Sequence, residues 1–498
     1  MNQKLTTELV LDLLALLAGA AMILAFSPFE WWPVAIISLA VLIQLMMSSG
    51  PGRAFWRGWL FGLGMFGAGV SWVFVSIRQF GNADTFLSTV ITVLLVFVMA
   101  LYPAIAAWLS RRLPAPGDVS RIALIFPAIW ILIEWLREWL FTGFPWLQAG
   151  YALIDSPVAM LGPLTGVMGI TLTVAMSAAF AVVVIRKGVA WGYRILAGLG
   201  LVLLWGAPFV VDVPTFSKPI GEPSKVALVQ GNIEQHVKWV TENRRPTLAL
   251  YRALTEQHWR ADIVVWPETA VPAYEDTVSE YLDALHYAAQ VSDTALLVGI
   301  PVRETHGDRY FNALAVYGGE QRGQGSIYYK QHLVPFGEYL PFKQWLDPVL
   351  GYLEIPMSDF SAGDQGAPIV DARGHIAGIS ICFEDIFGEE VRQALPQAHY
   401  LVNVSNDAWF GNSLAPHQHL QMARMRALET SRYLLRTAII EPDGQIQGQA
   451  DQFRQQVLTG KIQAMQGSTP YVGFGHYPVL LLSLLMLIVT GWLGYRKF

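Results

Sequence analysis

Ile379-Ser380-Ile381-Cys382-Phe383-Glu384 is a β-branched, apolar run that ends on the chain's single cysteine, with a carboxylate two residues later. Such a run reads as a buried strand, and in α/β sheets reactive side chains gather just past the carboxyl ends of strands. Two upstream stretches end in a similar way. Ile263-Val264-Val265-Trp266-Pro267-Glu268 places a carboxylate beyond a proline, and Tyr328-Tyr329-Lys330 leads into Leu333-Val334-Pro335-Phe336-Gly337-Glu338-Tyr339, where a lysine and a second carboxylate bracket a tight Pro/Gly loop. Other short apolar runs, Val226–Gln230, Ala295–Val298 and Tyr400–Val404, alternate with amphipathic stretches at Thr247–His258 and Val278–Gln290. Strands alternating with helices predict an α/β domain of roughly 240 residues, within the size of one core. A thiol, a carboxylate and a lysine suffice for acyl transfer: the carboxylate takes the thiol proton, the thiolate attacks a carbonyl, and the ammonium stabilises the oxyanion. Taken singly, Cys382 reads equally as a small buried hydrophobe, Glu268 as a helix-terminal charge and Lys330 as a solvated surface residue.

Outward from this core the composition changes. The chain has 498 residues, 53% hydrophobic and only 14% charged, too greasy for a wholly soluble protein. Runs long enough to span a hydrocarbon core occur at Val10–Phe26, Pro33–Met47, Ala54–Ile77, Phe86–Leu109, Ile122–Phe141, Leu161–Ile185, Trp191–Val211 and Tyr477–Tyr495. Eight transmembrane helices are predicted, with the first retained as a span and not removed as a signal peptide. With the amino terminus inside, the inner flanks hold eleven Lys or Arg (Lys4, Arg53, Arg57, Arg111, Arg112, Arg121, Arg186, Lys187, Arg194, Arg496, Lys497), and the outer flanks before the large domain hold two, Arg78 and Arg137. Positive flanks stay cytoplasmic, so residues from about Asp212 to His476 are expected outside the cytoplasm and both termini inside. The expected boundaries are a membrane domain over 1–216, a linker over 217–224, a catalytic domain over 225–466 and a return segment over 467–498. A formal net charge of −5 leaves no basic surface for nucleic acid. One cysteine leaves no internal disulfide or multi-thiolate metal site. His417 and His419 stand two apart at a helix start, a spacing at which side chains diverge, so no metal or other cofactor is expected. Glu134 and Arg137, three apart in the fifth span, read as a structural ion pair or a proton relay.

The order Glu268, Lys330, Cys382, in these contexts, resembles the nitrilase (carbon–nitrogen hydrolase) superfamily. With seven spans before it and one after, the whole chain resembles the apolipoprotein N-acyltransferase family. Gly143-Phe144-Pro145-Trp146, Val229-Gln230-Gly231-Asn232 with Trp239, Leu333–Tyr339, Asn403-Val404-Ser405-Asn406-Asp407-Ala408-Trp409-Phe410 and Gly467-Ser468-Thr469-Pro470-Tyr471 also carry the likeness. The resemblance implies an αββα sandwich in the periplasm, held in a bacterial inner membrane. It implies a ping-pong reaction: Cys382 takes an acyl chain from a phospholipid, expected at sn-1 of phosphatidylethanolamine, and passes it to the α-amine of the diacylglyceryl-cysteine opening an apolipoprotein. By the same mapping Glu268 is the base, Lys330 the oxyanion stabiliser and Glu338 a supporting carboxylate. Phe383, through its N–H, Glu384 and Trp239 are expected to support the site. Trp409 and Phe410 are candidate substrate contacts. The apolar stretch Leu340–Phe360, with Phe342 and Trp345, is expected as a lid over the site. Two rival readings are a membrane-tethered periplasmic amidase, whose thioester goes to water, and a transporter with an accessory domain.

The sequence departs from the family twice. Phe383 stands where a tyrosine is typical. Between Pro416 and Pro442 there is no Gly, Pro or Asn, although relatives place a short Asn/Thr/Gly turn near Arg436-Thr437. A helix running directly into a β-branched strand lacks a turn signal, and a few residues are expected to be missing there, altering a loop near the active site.

Overall fold

The computed structural model describes residues 3–81, 83–304, 307–319, 327–339 and 359–495. All eight apolar runs are helical. Among the described residues six helices are long and apolar enough to cross a membrane: Thr6–Ala25, Thr85–Arg112, Asp118–Thr142, Pro157–Ile185, Trp191–Phe209 and Tyr477–Tyr495. Pro51–Gly69 and Trp72–Gln79 meet the same test only together, bent by 51° at their break, and Pro33–Met47 is a shorter apolar helix. The outward faces are apolar too: Leu196, Leu199, Val202 and Leu203 are all more than half exposed on one helix. A water-facing surface rarely carries so continuous an apolar patch. Inside the bundle small residues let backbones meet. A Cβ on Gly19 would fall 1.9 Å from the Phe61 carbonyl oxygen, and one on Gly64 would fall 2.0 Å from that of Leu16, the close approach typical of helix pairs in lipid.

The second part is built from β1 (Ser217–Gln230), β2 (Ile263–Val265), β3 (Ala295–Arg303), β4 (Tyr310–Tyr317), β5 (Ile327–Tyr329), β6 (Ile369–Ala372), β7 (His375–Ile381), β8 (Tyr400–Val404), β9 (Leu434–Leu435), β10 (Ala438–Ile440), β11 (Ile446–Gln449) and β12 (Gln456–Gly467). They form two six-stranded sheets, in the orders β12-β1-β2-β3-β4-β5 and β11-β10-β9-β8-β7-β6. Period-two alternation decides which side chains meet. Val226, Leu228, Val265 and Leu297 of the first sheet share one buried cluster with Ile379, Ile381, Val402 and Val404 of the second. The alternate residues Ala227, Val229, Val264 and Leu296 face out against Leu248, Tyr251, Leu282 and Leu285 of the helices Thr241–Glu256 and Ser279–Val291. On the other side Leu401, Leu434 and Ile440 pack on Leu420, Ala423 and Ala427 of the helix Ala415–Thr430. The layers are therefore helix, sheet, sheet, helix, as expected.

One boundary expectation is corrected. Residues 217–224 are not a free linker but the first half of β1: Ser217 to Ile220 pair with Gly467 to Ala464, and a register shift between Ile220 and Ser224 absorbs the Gly/Pro content. The long partner β12 supplies hydrogen bonds that composition alone did not reveal. The chain also turns near Arg432 without a glycine. Ser431, at φ 50° and ψ 49°, ends the helix in the left-handed region, and the Arg432 guanidinium donates to the Ala398 carbonyl at 2.8 Å. Leu435 pairs with Ile439 directly across a short hairpin, so the helix ends before the sheet and does not run unbroken into the strand.

The two parts are knit together by the helix Ala415–Thr430, which packs on a sheet on one side and on the apolar helical part on the other. Gln418 accepts from the Trp146 indole at 2.6 Å, Arg424 pairs with Asp155, and Glu429 accepts from the Val167 N–H at 2.6 Å. Arg137 is fully buried, pairs with Glu134 and donates to the carbonyls of Phe144 and Trp146 at 2.5 and 2.7 Å. The ion pair is thus a staple for the Gly143–Trp146 loop.

Candidate active site

The ends of β2, β5 and β7 bring the three candidate groups into one buried pocket of charge. β7 stops at Cys382, which turns sharply at φ 53°. A non-glycine residue there is strained, and such strain concentrates at functional sites. Asn403 of β8 holds the turn by donating to the Cys382 carbonyl at 3.1 Å. Glu268 comes after the apolar strand β2 and Pro267; its two oxygens accept from the Asn312 amide at 2.8 Å and the Asn406 N–H at 3.1 Å. Lys330 comes directly after β5, is 1% exposed, and lies 2.8 Å from Glu338 but 3.8 Å from Glu268. Glu338 is fixed in turn by the Val334 N–H at 2.8 Å and by Asn312 at 3.1 Å.

Burial and Glu268 together push the Cys382 thiol well up, only partly opposed by Lys330. Burial would lower Lys330, but Glu338 and Glu268 outweigh it and hold the ammonium up. The resting site therefore pairs a neutral thiol with a permanent cation. Such a thiol needs its proton removed as it attacks.

The supporting residues take distinct places. Glu384 accepts from the Tyr328 hydroxyl (2.9 Å) and from the N–H groups of Ile381 (2.6 Å), Gln331 (2.7 Å) and His332 (3.0 Å). It clasps the Cys382 turn to the segment carrying Lys330, and burial lifts its pKa to about 7 against Lys330 and those N–H groups. Phe383 is buried, its ring 5.2 Å from that of Phe387 and 5.9 Å from that of His332. Trp239 is linked to the base only through its neighbour: Lys238 sits 5.9 Å from its ring centroid and donates to Thr269 at 2.6 Å and to the Glu268 carbonyl at 3.3 Å. Burial lowers Lys238 to about 8, with Glu268 opposing. Phe410 packs at 4.9 Å from Trp72, and Ser76 donates to the Trp409 carbonyl at 2.8 Å. Both residues thus dock the Asp407–Phe410 turn on the membrane helices. Phe342 and Trp345 lie outside the described residues.

Several groups escaped the sequence reading. Asn312 shares the inward face of β4 with Leu314 and Val316. A polar residue on an apolar face was the available signal. His419 does not point to a metal pair; it meets Asp385 at 2.7 Å and Asp407 at 3.1 Å, with Arg436 bonded to both carboxylates. Burial and Arg436 oppose the His419 proton, yet the two carboxylates raise its pKa. This network ties the Cys382 turn, the β8 loop and the β9–β10 hairpin together. Its members are scattered over 51 residues of sequence between Asp385 and Arg436, with no spacing to betray them.

The two-sheet part of the chain matches the carbon–nitrogen hydrolase family. The model for that family, "Carbon-nitrogen hydrolase", matches residues 225–471, and a second, "Apolipoprotein N-acyltransferase N-terminal domain", matches residues 18–180. A relative from Methylococcus capsulatus named apolipoprotein N-acyltransferase is 43% identical, over 94% of this chain and 93% of its own. Those of the same name from Pseudomonas putida (40%; 97% and 96%) and Coxiella burnetii (41%; 96% and 99%) are similar over nearly full length. The chain belongs to the apolipoprotein N-acyltransferase family.

Proposed function

We propose that the protein moves a fatty acyl chain from a phospholipid, the sn-1 chain of phosphatidylethanolamine, through a thioester on Cys382 to the α-amine of an apolipoprotein's diacylglyceryl-cysteine. The observation that carries this reading is the buried Glu268, Lys330 and Cys382 site whose flanking turn, Asp407–Phe410, is seated on membrane helices. The family name, borne by relatives matched end to end, supports the acceptor.

Glu268 takes the Sγ proton as sulfur bonds to the ester carbonyl carbon. Lys330 and the Phe383 N–H stabilise the oxyanion, and the ester C–O bond breaks as Glu268 returns the proton to the departing lysophospholipid oxygen. In the second half the amine attacks the thioester, Glu268 accepts its proton, and the sulfur leaves and is reprotonated. Separating two acceptors by a covalent intermediate makes the kinetics ping-pong. Intact mass measurement after incubation with phosphatidylethanolamine alone is expected to show one hydroxylamine-labile acyl adduct on the chain's single cysteine. A wild-type protein that turns over but never carries the adduct would exclude the thioester.

The excess of Lys and Arg on one set of flanks supports a multi-pass protein of the bacterial inner membrane, with the sandwich in the periplasm and both termini in the cytoplasm. Reporters fused after Arg112, Lys187 or Phe498 are expected to read cytoplasmic, and one fused after Ser224 periplasmic. A cytoplasmic reading at Ser224 would overturn the charge argument.

A further inference from the structure

We propose that Asn312 is a positioning residue that keeps the base Glu268 beyond hydrogen-bond distance of Lys330, so that its carboxylate stays free for the Cys382 proton. The inference rests on the proposed roles of Glu268, Lys330 and Cys382. The Asn312 amide nitrogen has two hydrogens, and it spends one on each carboxylate: 2.8 Å to Glu268 Oε1 and 3.1 Å to Glu338 Oε1. Its backbone carbonyl accepts the Lys330 N–H at 2.8 Å. One residue thus touches Glu268, Glu338 and Lys330, three of the charged residues around the thiol.

The amide cannot be turned over, because that would aim Oδ1 at two carboxylates. In the orientation it holds, Oδ1 is buried with no partner among the described residues. A 2% exposed polar side chain with an orphaned oxygen, on the face of β4 otherwise filled by Leu314 and Val316, works against stability. Its two donor bonds are what it contributes.

The consequence is an unequal pair of ion contacts. Lys330 is 2.8 Å from Glu338 and 3.8 Å from Glu268. Glu268 Oε1 is held by a neutral donor in place of the ammonium, while Oε2 is held by the Asn406 N–H. A carboxylate in direct contact with an ammonium is a weaker base, since the opposite charge favours its ionised form. Without Asn312, Glu268 Oε1 loses its donor and needs to move only about 1 Å to reach ordinary salt-bridge distance from Lys330. The base then turns from the thiol toward the lysine.

The test compares wild type, Asn312→Ala and Asn312→Asp, using iodoacetamide alkylation of the single cysteine and acyl adduct formation from phosphatidylethanolamine vesicles. Asn312→Ala is expected to slow both by about 10²-fold, the lower end of what losing a general base does, with the phospholipid KM unchanged. Asn312→Asp preserves shape but turns the donor into an acceptor. The introduced carboxyl faces Glu268 from the loop after β2, beside Lys238 from the short helix Gln235–Lys238 after β1, Lys330 and Glu338 from the segment after β5, and Cys382 and Glu384 from the turn after β7. Protonating it restores one donor, so its alkylation rate relative to wild type is expected to rise about tenfold between pH 8 and pH 6. Wild-type rates in the alanine variant, or a loss that is the same at every pH and tracks a fall in Tm, would overturn the proposal. Should the alkylation series hold while wild type forms no acyl adduct, the assigned reaction fails and the role of Asn312 stands.

Discussion

Cys382→Ala and Cys382→Ser are both expected to abolish acyl transfer, by at least about 10⁴-fold. The alanine result comes from removing the only thiol in the chain. The serine result is the more informative. Burial and Glu268 already push this thiol well above its ordinary range. A hydroxyl, far less acidic to begin with, would have to ionise in the same place beside the same carboxylate. Lys330 lowers the barrier for either nucleophile but cannot make up that difference. Steady-state transfer to a diacylglyceryl peptide measures the loss, with intact mass as the parallel readout for the missing adduct. Turnover retained by the alanine variant would end the assignment of Cys382 as nucleophile. Turnover retained by serine alone would show that the site ionises hydroxyls far better than its burial permits.

Glu268→Gln is expected to reduce thioester formation by about 10²–10⁴-fold at neutral pH. Glutamine keeps the shape and can still accept from Asn312 or the Asn406 N–H, the two partners of the native carboxylate. The proton acceptor is gone. In its absence the thiol must ionise unaided, and because its pKa is raised, the thiolate fraction climbs about tenfold per pH unit across the accessible range. The variant's rate should therefore keep rising from about pH 7 to about pH 9 without levelling. Lys330, still held up by Glu338, the larger of its raising partners, remains cationic throughout and contributes no competing limb. Removing the Glu268 charge also takes away one cause of the raised thiol, which softens the loss but leaves its direction unchanged. Single-turnover adduct formation measured by mass against pH makes the comparison. A wild-type rate in this variant would make Glu268 a structural residue.

The three candidate groups were legible because each terminates a strand that its own residues define. Ile263-Val264-Val265 and Ile379-Ser380-Ile381 are β-branched runs, and the residues just beyond each run necessarily sit at the strand's carboxyl end. The membrane part was legible for a similar reason, since a length of apolar residues long enough to span is a local property. The linker expectation failed because pairing is not local. Ser217–Ile220 are strand because Ala464–Gly467 lie beside them, nearly 250 residues away in the chain. The same holds for the helix end at Ser431, where a left-handed serine is tolerated because Arg432 and the strands beyond are fixed by neighbours.

Order and identity of residues along the chain determined that a thiol, a carboxylate and a lysine would end three strands of an α/β domain joined to membrane helices. What only the tertiary structure decided is how those charges divide. Lys330 is flanked by two glutamates, and nothing in their spacing says which one it touches. The two-sheet packing does, by setting Asn312 on the inner face of β4 between Glu268 and Glu338, with Lys330 2.8 Å from Glu338 and 3.8 Å from Glu268. It likewise buries His419 among Asp385, Asp407 and Arg436 and lays the Asp407–Phe410 turn against Trp72. Electrostatic strength depends on separation and desolvation, and both are fixed by folding partners far apart in sequence. Composition gives the charges, and packing gives their distances.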